Sequence, residues 1–384
     1  MASTPTMNLP RVAIVDVPGK GKGVVAQEHI QRGTLIVSEK PRIMLPCSNK
    51  LDGLKFLSSL SRDDLAFLLS FPCGQGENAI FGRLKHFTPC VADGEVVGWG
   101  LCSTVCRVNH TCYSPMGGPN SAYFWNDSTG KEELRAIKEI REGHEVEVSY
   151  MENAVNYEDP PAKLRRDYGF DCSCKGCARS TAERATSQER IMTYNNFVRD
   201  LPNRFGPGNP LLILKDIEKH IIIICEEGYT GEIGSRAHDA FQLCAYYGDA
   251  ASARQWETIC RDSHALYHGK EWEGFTKAER LAAKPQDFRA WRQLGSRKLK
   301  GPNKQVLEYF YPKVETAVPA APNETPNPSV VSTPATEQDT STGQQRETGA
   351  QKLSRGQKKN ARAKAKKAAA KAKDSVPQTD AITE

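Results

Sequence analysis

The sequence predicts a mainly β domain with a helical insert, followed by a small all-α domain and a disordered tail. Three observations lead to this fold class. Several short runs before residue 178 alternate apolar and polar residues, as half-buried strands do. Apolar residues recur every three or four positions from about 187 to 273, as in amphipathic helices. From residue 314 onward large apolar side chains almost disappear, so this part cannot offset the entropy of ordering.

The strand signals begin with the alternating run "RVAIVDV" at 11–17, after which the glycine-rich "PGKGKG" predicts a turn. A second β segment follows at 34–41, and helical spacing of leucines interrupts the pattern between 51 and 71. Further strand patterns lie at 95–102, at 121–127 and at either side of a predicted turn at Gly143. The N-terminal part is therefore β-rich with one helical excursion.

The region 187–300 is predicted to be a separate helical domain. Its last long stretch, within 236–269, resembles a helix–turn–helix hairpin broken at Gly248–Asp249, of the tetratricopeptide type. One hairpin does not make a repeat array, so we expect a structural or partner-binding role.

The C-terminal residues divide into a Pro/Thr/Ser/Gln linker at 314–350 and a basic tail at 351–374. The tail carries +9, whereas the whole chain carries a formal +6, so the remaining residues sum to −3. Two interpretations stay open, because composition does not separate them. The tail is either a solvated charge run or a segment for nuclear import or nucleic-acid contact.

Cysteine usage predicts reduced thiols and one metal site. The N-terminus lacks an apolar leader, and the longest aliphatic run, 221–225, is too short for a bilayer, so an intracellular protein is expected. Twelve cysteines at mostly irregular spacing then argue against a disulfide framework. "YGFDCSCKGC" at 168–177 places three cysteines within six positions. A tetrahedral zinc site needs four ligands, and spacing alone leaves the fourth open.

The stretch "GKGVVA" fits the pattern GxGxxA, which is a weak dinucleotide-binding signal on its own. Only about eight residues separate Ala26 from the next predicted strand, too few for the crossover helix of a parallel βαβ unit. The remaining interpretations are a plain hairpin turn and a turn whose glycines let the backbone approach a ligand closely.

Four motifs in order, "GKGVVA", "RVNHTC", "EIREGHEVEVSY" and "YGFDCSCKGC", closely resemble those of the SET-domain protein lysine methyltransferases. They are most similar to the SET/MYND-type branch with a CxCxxC post-SET zinc clip, although no MYND finger is present. The resemblance covers 11–178, with an insert at 47–97 and the post-SET clip at 164–178. It implies the mainly β SET fold, with small sheets and a pseudoknot-like core.

The resemblance also implies roles for individual residues. Tyr150 would be the catalytic tyrosine and also contact the cofactor, Tyr168 would line the substrate-lysine channel, and Phe170 would stack on adenine. Each aromatic also has an ordinary core-packing interpretation. The remaining cofactor contacts would be Lys20, Gly21, Lys22, Gly23, Asn109 and His110. The zinc ligands would be Cys172, Cys174, Cys177 and, as the fourth, Cys112.

The function implied is S-adenosylmethionine-dependent methylation of lysines in histones or other proteins, in the nucleus or the cytoplasm, with one structural zinc. The alternative is a weak or inactive SET scaffold that binds a protein or nucleic-acid partner. Three departures from the family pattern stand out. Residues 113–118 replace what is usually one residue beside the cofactor, and His144 and Glu147 stand where Glu and Thr are common.

Overall fold

Ten short strands lie in the described residues of the N-terminal half of the chain. The computed structural model describes residues 11–46, 56, 58–73, 81–92, 95–151, 159–206 and 208–312. The strands are β1 (Val12–Val17), β2 (Gly21–Ala26), β3 (Leu35–Glu39), β4 (Ile43–Pro46), β5 (Thr88–Ala92), β6 (Glu95–Leu101), β7 (Asn109–His110), β8 (Ser121–Asn126), β9 (Lys131–Ala136) and β10 (Glu145–Val148).

Within the described part of the chain these strands form three small sheets. One has four strands in the order β1-β2-β10-β7, and the others have three strands in the orders β3-β9-β8 and β4-β6-β5. These three small sheets confirm the expected mainly β fold class. Buried aliphatic side chains such as Val24, Leu134 and Val146 form a core between the first two sheets.

The pairing of β7 with β10 positions the candidate site. The two strands run parallel, with Asn109 opposite Glu147 and His110 opposite Val148. Residues that are almost forty positions apart therefore lie side by side. The segment after β7 leads toward the cysteines, and the segment after β10 leads to Tyr150.

Eight α-helices lie within the described ranges. Helix α1 (Arg62–Leu69) lies in the β-rich half, where its Leu68 packs with Leu45 and Leu101. The others are α2 (Pro160–Tyr168), α3 (Thr181–Asp200), α4 (Pro210–Glu226), α5 (Glu232–Tyr246), α6 (Ala250–Tyr267), α7 (Glu273–Ala283) and α8 (Lys304–Phe310). No helix in the part of the chain that the structure describes is long and apolar enough to cross a membrane.

The helical half has its own core. Trp256 and Phe241 are fully buried in it together with Ile217 and Ile221 of α4. Helices α5 and α6 form the predicted hairpin, which turns at Gly248 with φ of +69°. Asp249 caps α6 by accepting a hydrogen bond from the Ser252 N–H.

Some local predictions need correction, and others concern residues outside the described ranges. The turn predicted at "PGKGKG" is shorter, because it covers only 18–20, and Gly21 already begins β2 as the antiparallel partner of β1. Helix α2 and strands β4 and β5 were not predicted from the sequence. The predicted linker at 314–350 and basic tail at 351–374 lie outside the described residues.

Candidate functional site

A cavity of about 740 Å³ opens between the β1–β2 turn, β7, the end of β10 and the cysteine-rich segment. Its volume is within the range of about 300–1,000 Å³ that is typical of small-molecule sites. Most of the residues singled out from the sequence line it: Lys20, Lys22, Asn109, His110, Cys112, Tyr150, Tyr168, Phe170, Cys172 and Cys174. Gly21, Gly23 and Cys177 lie beside the cavity without lining it.

The two glycines are required for different reasons. Gly21 has a φ of +77°, which side-chain-bearing residues rarely adopt. A Cβ atom at Gly23 would lie 2.8 Å from Asn109 Nδ2 and 2.9 Å from Glu145 Oε1. The absence of a side chain at Gly23 therefore lets Asn109 pack directly on the β2 backbone, where its Nδ2 donates to the Lys22 carbonyl at 3.2 Å.

Two carboxylates that the sequence analysis did not assign to the site hold its lysine. Lys20 Nζ lies 2.8 Å from Glu145 Oε2 and 2.7 Å from Glu147 Oε1. Glu147 is the residue that stands where the family commonly has Thr. Burial acts to lower the pKa of Lys20, but the hydrogen bonds to both carboxylates outweigh it and raise that pKa. Glu145 also accepts a hydrogen bond from Asn109 Nδ2 at 2.7 Å. Lys20 and Asn109 are thus joined through one carboxylate at the cavity edge.

The orientation of Tyr150 is fixed at both its backbone and its hydroxyl. Its N–H donates to His110 Nδ1 at 2.9 Å, and its hydroxyl donates to the Val108 carbonyl at 2.7 Å. Desolvation raises the pKa of this phenol well above the ordinary value, so the group stays protonated at neutral pH. With its hydrogen directed at Val108, the oxygen keeps its lone pairs available as acceptors.

Tyr168 and Phe170 complete an aromatic wall at the end of α2. Gly169 ends that helix with a φ of 75°, and its N–H bonds back to the Leu164 carbonyl. This left-handed cap lets both flanking side chains reach the cavity. The Tyr168 ring lies 4.8 Å from that of Tyr150 between centroids, and the Phe170 ring lies 6.2 Å from that of His110.

The four predicted cysteines meet at one point. Their sulfur atoms all lie within 4.8 Å of one another, with Cys112 Sγ at 4.0 Å from Cys172 Sγ and 3.5 Å from Cys177 Sγ. In a tetrahedral site with zinc–sulfur bonds of about 2.3 Å, neighbouring sulfurs lie about 3.8 Å apart. The donor set and spacing therefore fit zinc.

One imidazole links the cysteines to Tyr150. Because His110 Nδ1 accepts from the Tyr150 N–H, its proton is on Nε2, which lies 3.0 Å from Cys112 Sγ and donates to it. Such a hydrogen bond to a ligand sulfur is a common second layer of support around a metal. His110 and Cys112 were both predicted site residues, but no pattern in the sequence predicts the contact between them.

Two further parts of the cavity were not predicted. Tyr123 on β8 lines it near Tyr150, and Met116 lines it from the loop at 113–118 with 60% of its surface exposed. An aromatic in an alternating strand looks like any half-buried residue in sequence, so Tyr123 gave no separate signal. The unusual length of the loop at 113–118 was visible in the sequence, but its position at the cavity was not.

Comparisons with known proteins show which family and which relatives this chain is similar to. A family model described as SET domain matches residues 21–151. Histone-lysine N-methyltransferase set5 of Schizosaccharomyces pombe is 24% identical over 275 residues, which cover 71% of this chain and 84% of that protein. N-lysine methyltransferase SMYD2 of Homo sapiens is 28% identical over 62% of this chain and 53% of its own length. For histone-lysine N-methyltransferase SMYD3 of Mus musculus the identity is 32%, over 28% of this chain and 24% of that protein.

Proposed function

Because the chain carries a SET domain of the protein-lysine methyltransferase type, we propose that it methylates lysine side chains of histones or other proteins at the cavity described above. The observation that carries this proposal is the convergence of Tyr150, Tyr168 and Phe170 on the cavity that Lys20 and Asn109 also line. The alternative of a non-catalytic scaffold has no comparable support.

The cofactor that this class implies, S-adenosylmethionine, supplies an electrophilic methyl group when bound. Asn109, His110, Lys20 and the backbone of 21–23 would hold it at one end of the cavity, with Phe170 against the adenine. The pKa of Lys20 is raised, so the ammonium keeps its charge, and that charge is paired with Glu145 and Glu147. These roles follow the family pattern; Lys22, Asn109 and Phe170 line the cavity, whereas Gly21 and Gly23 lie beside it.

The chain's own chemical contribution is to position a neutral amine. Tyr150 stays protonated and therefore does not serve as a base, but its oxygen can accept a hydrogen bond from the substrate nitrogen. With the substrate bound, the aromatic walls would displace water, which would disfavour the ammonium form and lower the pKa of the substrate lysine. Correct alignment of two reactants accounts for a large part of the rate in such transfers.

We further propose that the four cysteines bind one structural zinc ion. With all four positions taken by sulfur, the ion would have no open site for catalysis. Its effect would be mechanical, because the ligands at 172–177 directly follow Phe170 in the chain. The clip would thereby keep Tyr168 and Phe170 against the cavity.

The decisive experiment is a radiolabelled-methyl transfer assay with the full chain on histones and on cell lysate. Tyr150→Phe should lower the transfer rate about a hundredfold, since it removes one positioned polar atom from a water-excluded site. Tyr309→Phe is the matched control, because it deletes a hydroxyl in the helical half that contacts Glu226. Transfer that is absent from the wild type, or equal in the wild type and Tyr150→Phe, would refute the proposal.

A nuclear or cytoplasmic location, and contact of the basic tail with nucleic acid, remain predictions of the sequence. The tail residues 351–374 lie outside the described part of the chain. The enzyme class implies a protein substrate.

A further inference from the structure

The loop at 113–118 connects three parts of the molecule. Its residues Ser114, Met116, Gly117 and Gly118 line the cavity. The loop closes on itself, because the Gly117 N–H donates to the Ser114 carbonyl at 3.2 Å and the Met116 N–H donates to Ser114 Oγ at 3.2 Å. The loop begins directly after Cys112, so one end is joined to the cysteine cluster.

The turn between α4 and α5 holds the other side of this loop. The ring of Tyr113 stacks on that of Tyr229, with centroids 4.2 Å apart and planes inclined by 29°. Tyr229 is itself buried against Ile191, Tyr194 and Ile224 of the helical half. The stack therefore attaches the first residue of the loop to a packed cluster rather than to a mobile side chain.

Two glycines pack closely against Ser114 from opposite sides. A Cβ atom at Gly228 would lie 3.0 Å from both the backbone nitrogen and the carbonyl oxygen of Ser114, and 3.2 Å from the Gly117 carbonyl oxygen. A Cβ atom at Gly176, within the cysteine clip, would lie 2.9 Å from Ser114 Cβ. Ser114 is only 3% exposed as a result. Gly228 also has a φ of +89°, so the turn requires glycine there for two reasons.

From this arrangement we infer that the helical half supports the cofactor site from outside the cavity, with Tyr229 and Gly228 acting as positioning residues for the loop at 113–118. The inference rests on the proposed function. The loop is longer than the family pattern and has no regular hydrogen-bonded ladder beyond its own bridge, so its shape depends on the surfaces that enclose it. The packing of the helical half then sets one wall of the cavity.

The test compares Tyr229→Ala, Tyr229→Phe and Gly228→Ala in the full chain. Tyr229→Ala should raise KM for S-adenosylmethionine, and its calorimetric Kd, roughly threefold to tenfold, the effect expected for loss of one aromatic pair. The value of kcat at saturating cofactor should stay within about twofold, since Tyr229 does not line the cavity. Tyr229→Phe should restore both constants, because it keeps the stacked ring.

Phe205→Ala is the matched control. It likewise deletes an aromatic of the helical half, although Phe205 is only partly buried, and its ring packs against that of Tyr246 with centroids 6.1 Å apart, in the other cluster. It should lower Tm without changing KM for the cofactor. If it raises KM as much as Tyr229→Ala does, the effect is general destabilisation and the inference is wrong.

A second readout does not depend on activity or on the cofactor. Amide hydrogen exchange of 113–118 should become faster in Tyr229→Ala and in Gly228→Ala, and should be unchanged in Tyr229→Phe. Unchanged exchange in both disruptive variants would overturn the inference even if methyl transfer is confirmed. If the wild type shows no transfer, the proposed function fails, and hydrogen exchange together with calorimetry still decides whether the helical half positions the loop.

Discussion

Removal of one sulfur from the cysteine cluster should abolish activity rather than reduce it in part. The proposed variant is Cys112→Ser, which alters the ligand that joins β7 to the clip. Freshly purified wild type should contain about one zinc ion per chain, and the variant should contain almost none.

The expected size of the effect follows from what else holds the clip. Of residues 171–178 only Gly176 is buried, so apolar burial contributes little there. The ion pair of Arg165 with Asp171 is exposed on both sides, and such pairs contribute about 0–1 kcal/mol. A structural zinc contributes about 10–16 kcal/mol. The proposed metal would therefore be the main constraint, and metal-free protein should retain less than about 1% of the activity.

The assay combines metal analysis, methyl transfer and calorimetry with S-adenosylmethionine. Cys225→Ala serves as the control, because Cys225 is buried in the helical half and belongs to its core. It should keep the zinc and the activity while lowering Tm. Full activity, or an unchanged cofactor Kd, in protein shown to be free of metal would contradict the reasoning.

Three further predictions concern the cavity and its supporting residues. Gly23→Ala should weaken cofactor binding at least tenfold, because the added methyl would collide with Asn109 and Glu145. Gly206→Ala, which adds a methyl group in open space, should leave the cofactor Kd unchanged. Calorimetry measures the Kd of both variants. The raised pKa of Tyr150 predicts a rate that keeps rising from about pH 7 to about pH 10 as substrate lysine deprotonates. A fall over this range in the wild type but not in Tyr150→Phe would contradict it. Burial raises the pKa of the Glu132 carboxyl to about 8, so the free energy of unfolding should fall as pH rises from about 4.5 to 8. Glu132→Gln should therefore raise Tm at pH 8.5 but not at pH 4.

Local patterns in the sequence predicted much of the fold. Alternation marked β1, β3, β6, β8 and β10, and three-to-four spacing marked the helices of the second half, because both patterns reflect which face of an element is buried. Elements without a clear pattern were missed. Strands β4 ("IMLP") and β5 ("TPCVA") do not alternate apolar and polar residues and each contains a proline, which argues against a strand. "PPAKLRRDY" of α2 has a single buried side chain, Leu164.

The candidate site was predictable in composition but not in arrangement. The motif residues were named from the sequence, and the cavity gathers most of them. The pairing of Lys20 with Glu145 and Glu147 spans more than 120 positions, and no periodicity encodes a contact of that kind. The stack of Tyr113 on Tyr229 crosses the two halves of the chain and is equally invisible to local pattern.

The His110 ring has a consequence for the choice of metal. Its two nitrogens connect the amide of Tyr150 to the sulfur of Cys112, so the ring acts as a spacer of fixed length. The backbone position of the tyrosine is therefore set by the sulfur as well as by β10. An ion with longer bonds to sulfur, such as cadmium, would fill the same four thiolates yet displace Cys112 outward. That displacement would reach Tyr150 through the imidazole, so the radius of a buried ion would tune the alignment of the amine.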